Sequence, residues 1–422
     1  MTPYIAPHSP VADWRAVPQG HGYGNYFDPV TGTWATVTRT TPKTARVAAD
    51  KLVDVPAGYL ALEPWSLHKT GGVGLAAIIE ESRTNAYLDS YFAAADISAA
   101  WASDGTLTRS TDVPAVYGTH TAKVVLTGGA GDSNATKTLL SQERPYSAAQ
   151  NVTTSAWVRG SATGLTVQRF IEAIDASNAV LGTVVAGLTL GAWGHGTLTY
   201  ANLPTGTVKT RSGIRATAVD TGDTVTLYAS AAQSEVGSFA TSYIPTTTAA
   251  VTRNADVVTV PTAGWGATAG TFSTVVGYNA ASRRILTWTA GITYNEIFLQ
   301  RSDVTDYLRA FSGGVSTIAE QNVTFAPRVV SGAYSVGGYL TQATAGVIKK
   351  SSSVLAAMPA NLPGVAYVGS AKSDGYLVFS GPIARVTVYD KALTDEQLAA
   401  ADMTTDLLTG LDTARITNEV TL

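Results

Sequence analysis

The chain has 422 residues, 45% of them apolar and 14% charged, against a usual charged share of roughly 25% in soluble domains. This supplies material for hydrophobic cores and excludes both disorder and a coiled coil. With 28 Lys and Arg against 31 Asp and Glu, net −3, there is no basic stripe for a nucleic acid, and with no cysteine there is no disulfide, thiolate zinc site or thiol nucleophile.

In chain order, residues 1–72 come first, with Pro3, Pro7, Pro10 and Pro18 at their start and little periodicity before Ala45–Leu62. They read as an N-terminal arm or adaptor without a core of its own. Met1–Gly20 has no apolar stretch of the kind that directs secretion. No apolar run reaches the roughly 18–20 residues needed to cross a bilayer, so membrane insertion is not expected. From residue 73, short alternating runs recur between Gly, Asp, Asn and Pro, the pattern of an all-β chain. Leu165–Ala173 and Val180–Val185 flank Asp175-Ala176-Ser177-Asn178, which predicts a hairpin. In Thr224–Ala232, Val225, Leu227, Ala229 and Ala231 point one way, and Thr226, Tyr228 and Ser230 the other. Ile244-Pro245-Thr246-Thr247-Thr248 breaks the pattern, and Asp256–Val260 resumes it. Val365–Gly369, Tyr376–Ser380 and Ile383–Tyr389 follow as strands, with Gly381-Pro382 as a break. Helix is scarce. Thr394 with Gln397 forms a capping box, and a less regular stretch covers Leu88–Ala100. The predicted architecture is an arm (1–72), two tandem antiparallel β-sandwiches (73–255 and 256–404) and a polar tail (405–422).

Five segments carry a resemblance. Gly74-Leu75-Ala76-Ala77-Ile78-Ile79-Glu80-Glu81-Ser82-Arg83-Thr84-Asn85 resembles the GLLIEEARTN segment of bacteriophage tail and other virion proteins, and Tyr26-Phe27-Asp28-Pro29-Val30-Thr31-Gly32 resembles the leader that often precedes it. Gln233 through Thr246 is similar to the QLEEGSFPTSYIPT segment that closes a carbohydrate-binding-module-like jelly roll in that family. Val251-Thr252-Arg253-Asn254-Ala255-Asp256 resembles its VTRAAD link, with Asn254 as the departure. Val365–Ala401, with Gly381, Ile383, Val386 and Tyr389 before Leu393-Thr394-Asp395-Glu396-Gln397-Leu398, is similar to the end of a concanavalin A-like, laminin-G-type domain.

Read as scaffold, Glu80, Glu81 and Arg83 belong to a strand leaving a core, with Arg83 clamping a carboxylate or a turn carbonyl. Arg253 and Asp256 pair close to each other, and Tyr243-Ile244-Pro245 serves as an extended connector. The resemblance implies a non-enzymatic virion protein, in the tail (fibre, tip or baseplate) rather than on the capsid surface. It would present lectin-like sandwiches to host-surface glycans and contact other virion proteins through residues 1–72. It would assemble as a homo-oligomer, a trimer by analogy with fibres. Capsid decoration or a head fibre, a polysaccharide depolymerase and a secreted carbohydrate-binding protein are the alternatives.

Signatures of catalysis are thin. His8, His21, His68, His120 and His195 accompany no G-x-S-x-G elbow and include no H-x-x-x-H pair, and Trp193-Gly194-His195-Gly196 reads as a turn. Glu172/Asp175, Asp303/Asp306 and Asp390/Asp395 are carboxylate pairs outside any signature. Asp303–Asp306 and Asp374 offer loop oxygens to calcium; no cofactor is expected. Sugar binding has the clearest candidates, since sugars dock on aromatic faces beside polar groups. Trp288, Tyr294, Phe298, Arg301 and Tyr307 cluster with Asn295 and Asp306. Two readings remain open: all form a binding face, or Trp288 and Phe298 fill the core and only Tyr294 or Tyr307 is exposed. The proposed face comprises Trp288, Tyr294, Arg301 and Tyr307.

Overall fold

The computed structural model describes residues 10, 12–20, 22–67, 75–277, 283–289, 295–301, 305–312, 315–323, 328–344, 346–370, 379 and 381–399. The chain is all-β. It divides into two compact units, one inserted into the sequence of the other. Ala48–Val53 with Arg83–Arg253 forms the inserted unit, and Met1–Val47, Asp54–Ser82 and Asn254–Leu422 form the parent unit. The expected divide at residue 73 therefore moves to Ser82/Arg83, and the second falls at Arg253/Asn254.

In the parent unit, one sheet of ten strands runs in the order Ala12–Gly20, Tyr23–Asp28, Leu60–Pro64, Leu75–Ile79, Gly381–Tyr389, Ala269–Val276, Arg328–Ser335, Tyr339–Thr344 and Val347–Val354, with Thr33–Trp34 on the second strand. The other sheet runs Val315–Asn322, Thr305–Ser312, Asn295–Arg301, Arg283–Thr289, Val365–Val368, Val257–Pro261 and Thr36–Thr38. One apolar core joins them: Phe272, Val386 and Val388 from the first sheet meet Leu286, Leu299 and Leu308 from the second.

The expected arm is not separate. Ala12–Gly20 pairs with Tyr23–Asp28 on one side and Gly381–Tyr389 on the other, so that with Leu60–Pro64 and Leu75–Ile79 these strands close a ring of five. Trp14 and Tyr26 are buried in the common core, and the Tyr26 hydroxyl donates to the Ile383 carbonyl at 2.7 Å. Leu60 and Leu62 join them, each adding on the order of 1.5–3 kcal/mol by burial. These strands are short and their partner lies some 370 residues on, so each shows too little alternation to announce a core. Asp28 shapes the turn after its strand. Its carboxylate accepts from the Val30 amide and the Thr31 hydroxyl, and Gly32 takes the left-handed φ of 71° that a side chain would resist. Gly381 and Pro382 are not a break but the start of a strand, Pro382 lying opposite Ile78.

The inserted unit is a jelly-roll-like sandwich. Its five-stranded sheet runs Thr106–Ser110, Thr121–Thr127, Thr224–Val236, Val152–Thr163, Gly194–Tyr200. Its four-stranded sheet runs Ala135–Pro145, Lys209–Val219, Thr166–Ile174, Val180–Gly187. Val124, Leu126 and Leu227 meet Leu140, Val167 and Ile214 between them. The predicted hairpin forms: the Asp175 carboxylate accepts from the amides of Ser177 and Ala179, and Asn178 is left-handed at φ 67°. In Thr224–Val236 a bulge at Ala231, φ 50°, resets the alternation. Ala229 and Ala232 both reach the core, while Ala231 joins Leu52, Trp157 and Tyr243 on the other side. Leu88–Ala100 holds only a 3-10 turn, Ile97–Ala99, capped by Asp96. The predicted helix is 395–399, where the Thr394 hydroxyl accepts from the Gln397 amide and the Gln397 side chain from the Thr394 amide.

The motif segments that began as a resemblance meet in space. Within the inserted unit Asn85 is their hub. Its Oδ1 accepts from the amides of Tyr87 and Ser234, and its Nδ2 donates to the carbonyls of Ala232 and Ile244. Gln233 in turn accepts from the Ile244 amide at 2.7 Å. Tyr243, expected in a connector, is instead buried, with its hydroxyl 2.6 Å from Ser90 Oγ. Arg83 crosses Gly237 and lies over the Phe239 ring, 4.9 Å from its centroid.

Candidate functional site

The aromatic segment lies on three adjacent strands of the seven-stranded sheet, Arg283–Thr289, Asn295–Arg301 and Thr305–Ser312. Because side chains alternate between faces, register decides which residues share a surface. Trp288 stands opposite Ile297, and Ile297 opposite Ala310; all three are core residues. Phe298 stands opposite Thr287 and Arg309 and so points to the other face.

Trp288 is thus withdrawn from the proposed site. It packs edge-on to Trp265 with ring centroids 5.4 Å apart, and its indole N–H donates to the Pro363 carbonyl at 2.8 Å. Arg301 is withdrawn too. Fully buried, it donates to the Gly277 carbonyl at 2.8 Å and lies 3.8 Å from Asp306, itself 3.8 Å from Arg328. Burial pushes the Asp306 carboxyl above its ordinary value, with Arg301 and Arg328 pulling the other way. That placement makes Asp306 part of an internal ion cluster rather than a loop ligand. Tyr294, Asp303, Asp374, His8, His21 and His68 lie outside the described residues. Of the four expected site residues, Tyr307 alone is seen on the outward face, half-buried.

What the register does assemble there is a set of arginines and rings. Phe298 lies under the Arg284 guanidinium, whose carbon is 3.0 Å from the ring centroid. Arg309 lies 4.0 Å over Phe311. Phe298 touches Tyr307 edge-on at 6.1 Å between centroids and stacks with Phe311 at 6.4 Å. Arg284 donates to Glu296 at 2.9 Å and Arg309 to the Ser316 hydroxyl at 2.8 Å, which fixes both cations over their rings. Burial lowers the pKa of Arg284, and Glu296 opposes that shift. Gln300 and Tyr307, opposite one another, and Glu320, opposite Tyr307, border the rings with amide, hydroxyl and carboxylate. Phe298 is sealed beneath Arg284, and the ring surface left on this face comes from Tyr307 and Phe311, both half-buried, beside Arg309 and Glu320. Sequence reasoning missed Arg284, Arg309 and Phe311, and the signal that could have found them is the two-residue spacing of Tyr307, Arg309 and Phe311 along one strand.

Three of the carboxylates singled out for hydrolysis are engaged elsewhere. Glu172 accepts from Arg211 at 2.6 Å and from Arg215 at 3.4 Å, Asp175 shapes its turn, and Asp395 pairs with Lys350 at 2.9 Å. Among the described residues no group of three or more His, Asp or Glu is placed to hold a metal ion. His195 lies not in a turn but in the strand Gly194–Tyr200, its ring 4.0 Å from that of Trp157.

No family model matches the chain, and no curated protein matches it in sequence. Solved structures align with about a third of it. A complex of NanB with Optactamide shares 13% identity over 33% of this chain and 26% of that one, with a TM-score of 0.29; the alignment spans about a quarter of the NanB chain. The CBM40 of the Ruminococcus gnavus IT-sialidase bound to α2,3-sialyllactose shares 15% over 33% of this chain and 85% of that one, TM-score 0.29. Domain 4 of AbnA, a GH43 extracellular arabinanase from Geobacillus stearothermophilus, in complex with arabinotriose, shares 17% over 35% of this chain and 73% of that one, TM-score 0.27.

Proposed function

We propose that the chain is a non-enzymatic structural protein of a bacteriophage virion that attaches to host-surface glycans through the outward face of its seven-stranded sheet. The observation that carries the glycan reading is the placement of Tyr307 and Phe311, both half-buried, on the outward face, with Arg309 clamped across Phe311. Pyranose rings present C–H faces to aromatic rings and hydroxyls to the polar edge, and each such contact is weak. Several copies in a symmetric assembly, a trimer in this reading, raise avidity through effective concentration. The virion reading is supported by the EESRTN-type, SYIPT-type and VTRNAD segments, and the tail is the address proposed.

Two experiments test it. On a glycan array, the full chain should bind at least one envelope-type glycan, and Tyr307→Ala and Phe311→Ala should each abolish that binding while leaving the melting temperature nearly unchanged. Binding to no glycan, or binding indifferent to both substitutions, would sink the face. Gold-labelled antibody against the chain should decorate phage tails; label on the capsid would favour a head fibre or decoration protein, and particles lacking the chain would remove the virion reading.

A further inference from the structure

We infer that the inserted unit carries a second ligand site, on the outward face of its five-stranded sheet, built for a carboxylate-bearing saccharide. Register lines three side chains from three neighbouring strands across that face, and Trp193, just before the fourth strand, extends the row. Lys123 stands opposite Tyr228, and Tyr228 opposite Arg159. Trp193 follows one place beyond the Val158–Gly194 pair, beside Arg159. At about 4.8 Å between strands, the row spans roughly 14 Å, room for two or three sugar rings.

Each member is held for the task. The Trp193 indole N–H donates to the Pro114 carbonyl at 3.1 Å, fixing the ring, and the guanidinium carbon of Arg159 lies 5.8 Å from its centroid. Lys123 lies 5.7 Å over the Tyr228 ring and is bound to Asp112 at 2.5 Å. Tyr228, Arg159 and Trp193 are all half-exposed. His195, stacked on Trp157, flanks the row two residues along its strand.

Charge decides the class of ligand. On the opposite, four-stranded sheet three of the cations have carboxylates: Arg211 and Arg215 share Glu172, and Lys209 has Glu143. Arg159, in the middle of its row, makes no hydrogen bond or ion pair with any described residue, and Asp112 is taken by Lys123. A guanidinium fork between two aromatic platforms matches a carboxylate bidentately, while Trp193 and Tyr228 stack on the sugar rings that carry it. Neutral glycans could use the rings but leave Arg159 without its partner.

The test uses the full chain and oligogalacturonic acid of three to six residues, with the same oligomers reduced at the carboxyl group as the neutral comparison. Calorimetry should show binding of the acid form, weakened about tenfold or more by Arg159→Ala, as expected for losing a charged hydrogen-bonded pair, and only partly by Arg159→Lys. The reduced oligomer should bind weakly and be insensitive to Arg159. Tyr307→Ala should leave this binding intact, which separates the site from the face on the seven-stranded sheet. Equal binding of acid and reduced forms, an unchanged Arg159→Ala variant, or no binding of the acid form would each overturn the inference.

Discussion

Arg39 and Asp256, 217 residues apart in sequence, form a fully buried ion pair at 2.5 Å in the parent unit. The other oxygen of Asp256 accepts from Lys43 at 2.6 Å and from the Glu80 amide at 3.0 Å, while the Asp256 amide donates back to the Glu80 carbonyl. Arg253 donates to the Ser242 hydroxyl at 3.3 Å within the inserted unit. Asn254, where the sequence departs from the VTRAAD pattern, bonds Thr40 and Thr41 through its side chain and amide. Removing one member of a buried pair strands the other, at about 3–5 kcal/mol. Asp256→Ala, which strands two cations, should therefore lower the thermal midpoint of the full chain steeply in calorimetry. A shift of only a degree or two would mean the network is not holding this part of the parent unit.

Asn85 should prove the most sensitive position of the inserted unit. Its four hydrogen bonds serve backbone groups of Tyr87, Ala232, Ser234 and Ile244, and an unsatisfied buried group costs about 1–3 kcal/mol. Asn85→Ala should cost at least ~2 kcal/mol in urea unfolding. Asn85→Asp should also be damaging, because it turns two donors into acceptors facing carbonyls. Near-native stability in either variant would refute the hub.

Neither network was legible in the sequence, because each joins residues far apart in the chain. Alternation from Thr224 to Ser230, the Asp175–Asn178 turn and the Thr394–Gln397 box are local, and their physics is complete within a few residues. The ring of five strands was not, because Asp13 and Arg385 meet across 372 positions. The sidedness of Trp288 and Phe298 was hidden as well. A bulge between Arg284 and Leu286 shifts the register, and rings clamped under arginines are buried on a surface as fully as in a core. Arg301 and Asp306 looked exposed because charges usually are, yet both are fully buried and lie 3.8 Å apart inside. The row of Lys123, Tyr228, Arg159 and Trp193 has no linear signature, since its members come from separate parts of the chain.

Gly237 has a clear steric duty. A Cβ there would fall 1.6 Å from an Arg83 nitrogen, and its φ of 150° disfavours a side chain. Gly237→Ala should displace Arg83 from the Phe239 ring and destabilise by about 1–3 kcal/mol, the usual range for overpacking. Gly187→Ala, with nothing within 4 Å, should stay within about 0.5 kcal/mol. Equal melting curves for the two variants would contradict this.

Acid sensitivity should trace in part to Asp13. Burial raises its pKa, but Arg385, bonded to both oxygens at 2.6 Å, and Arg15 outweigh that and hold the carboxyl below its ordinary 3.8. A depressed folded-state value means the stabilisation is full above the unfolded value and is lost as pH falls through the folded one. Stability should therefore drop below about pH 4. Asp13→Asn should be less stable at neutral pH but show a shallower loss in acid, because it has no proton to take up there. Urea titrations between pH 7 and pH 3 will read the slope, and parallel pH profiles for the two proteins would rule out Asp13 as the titrating group.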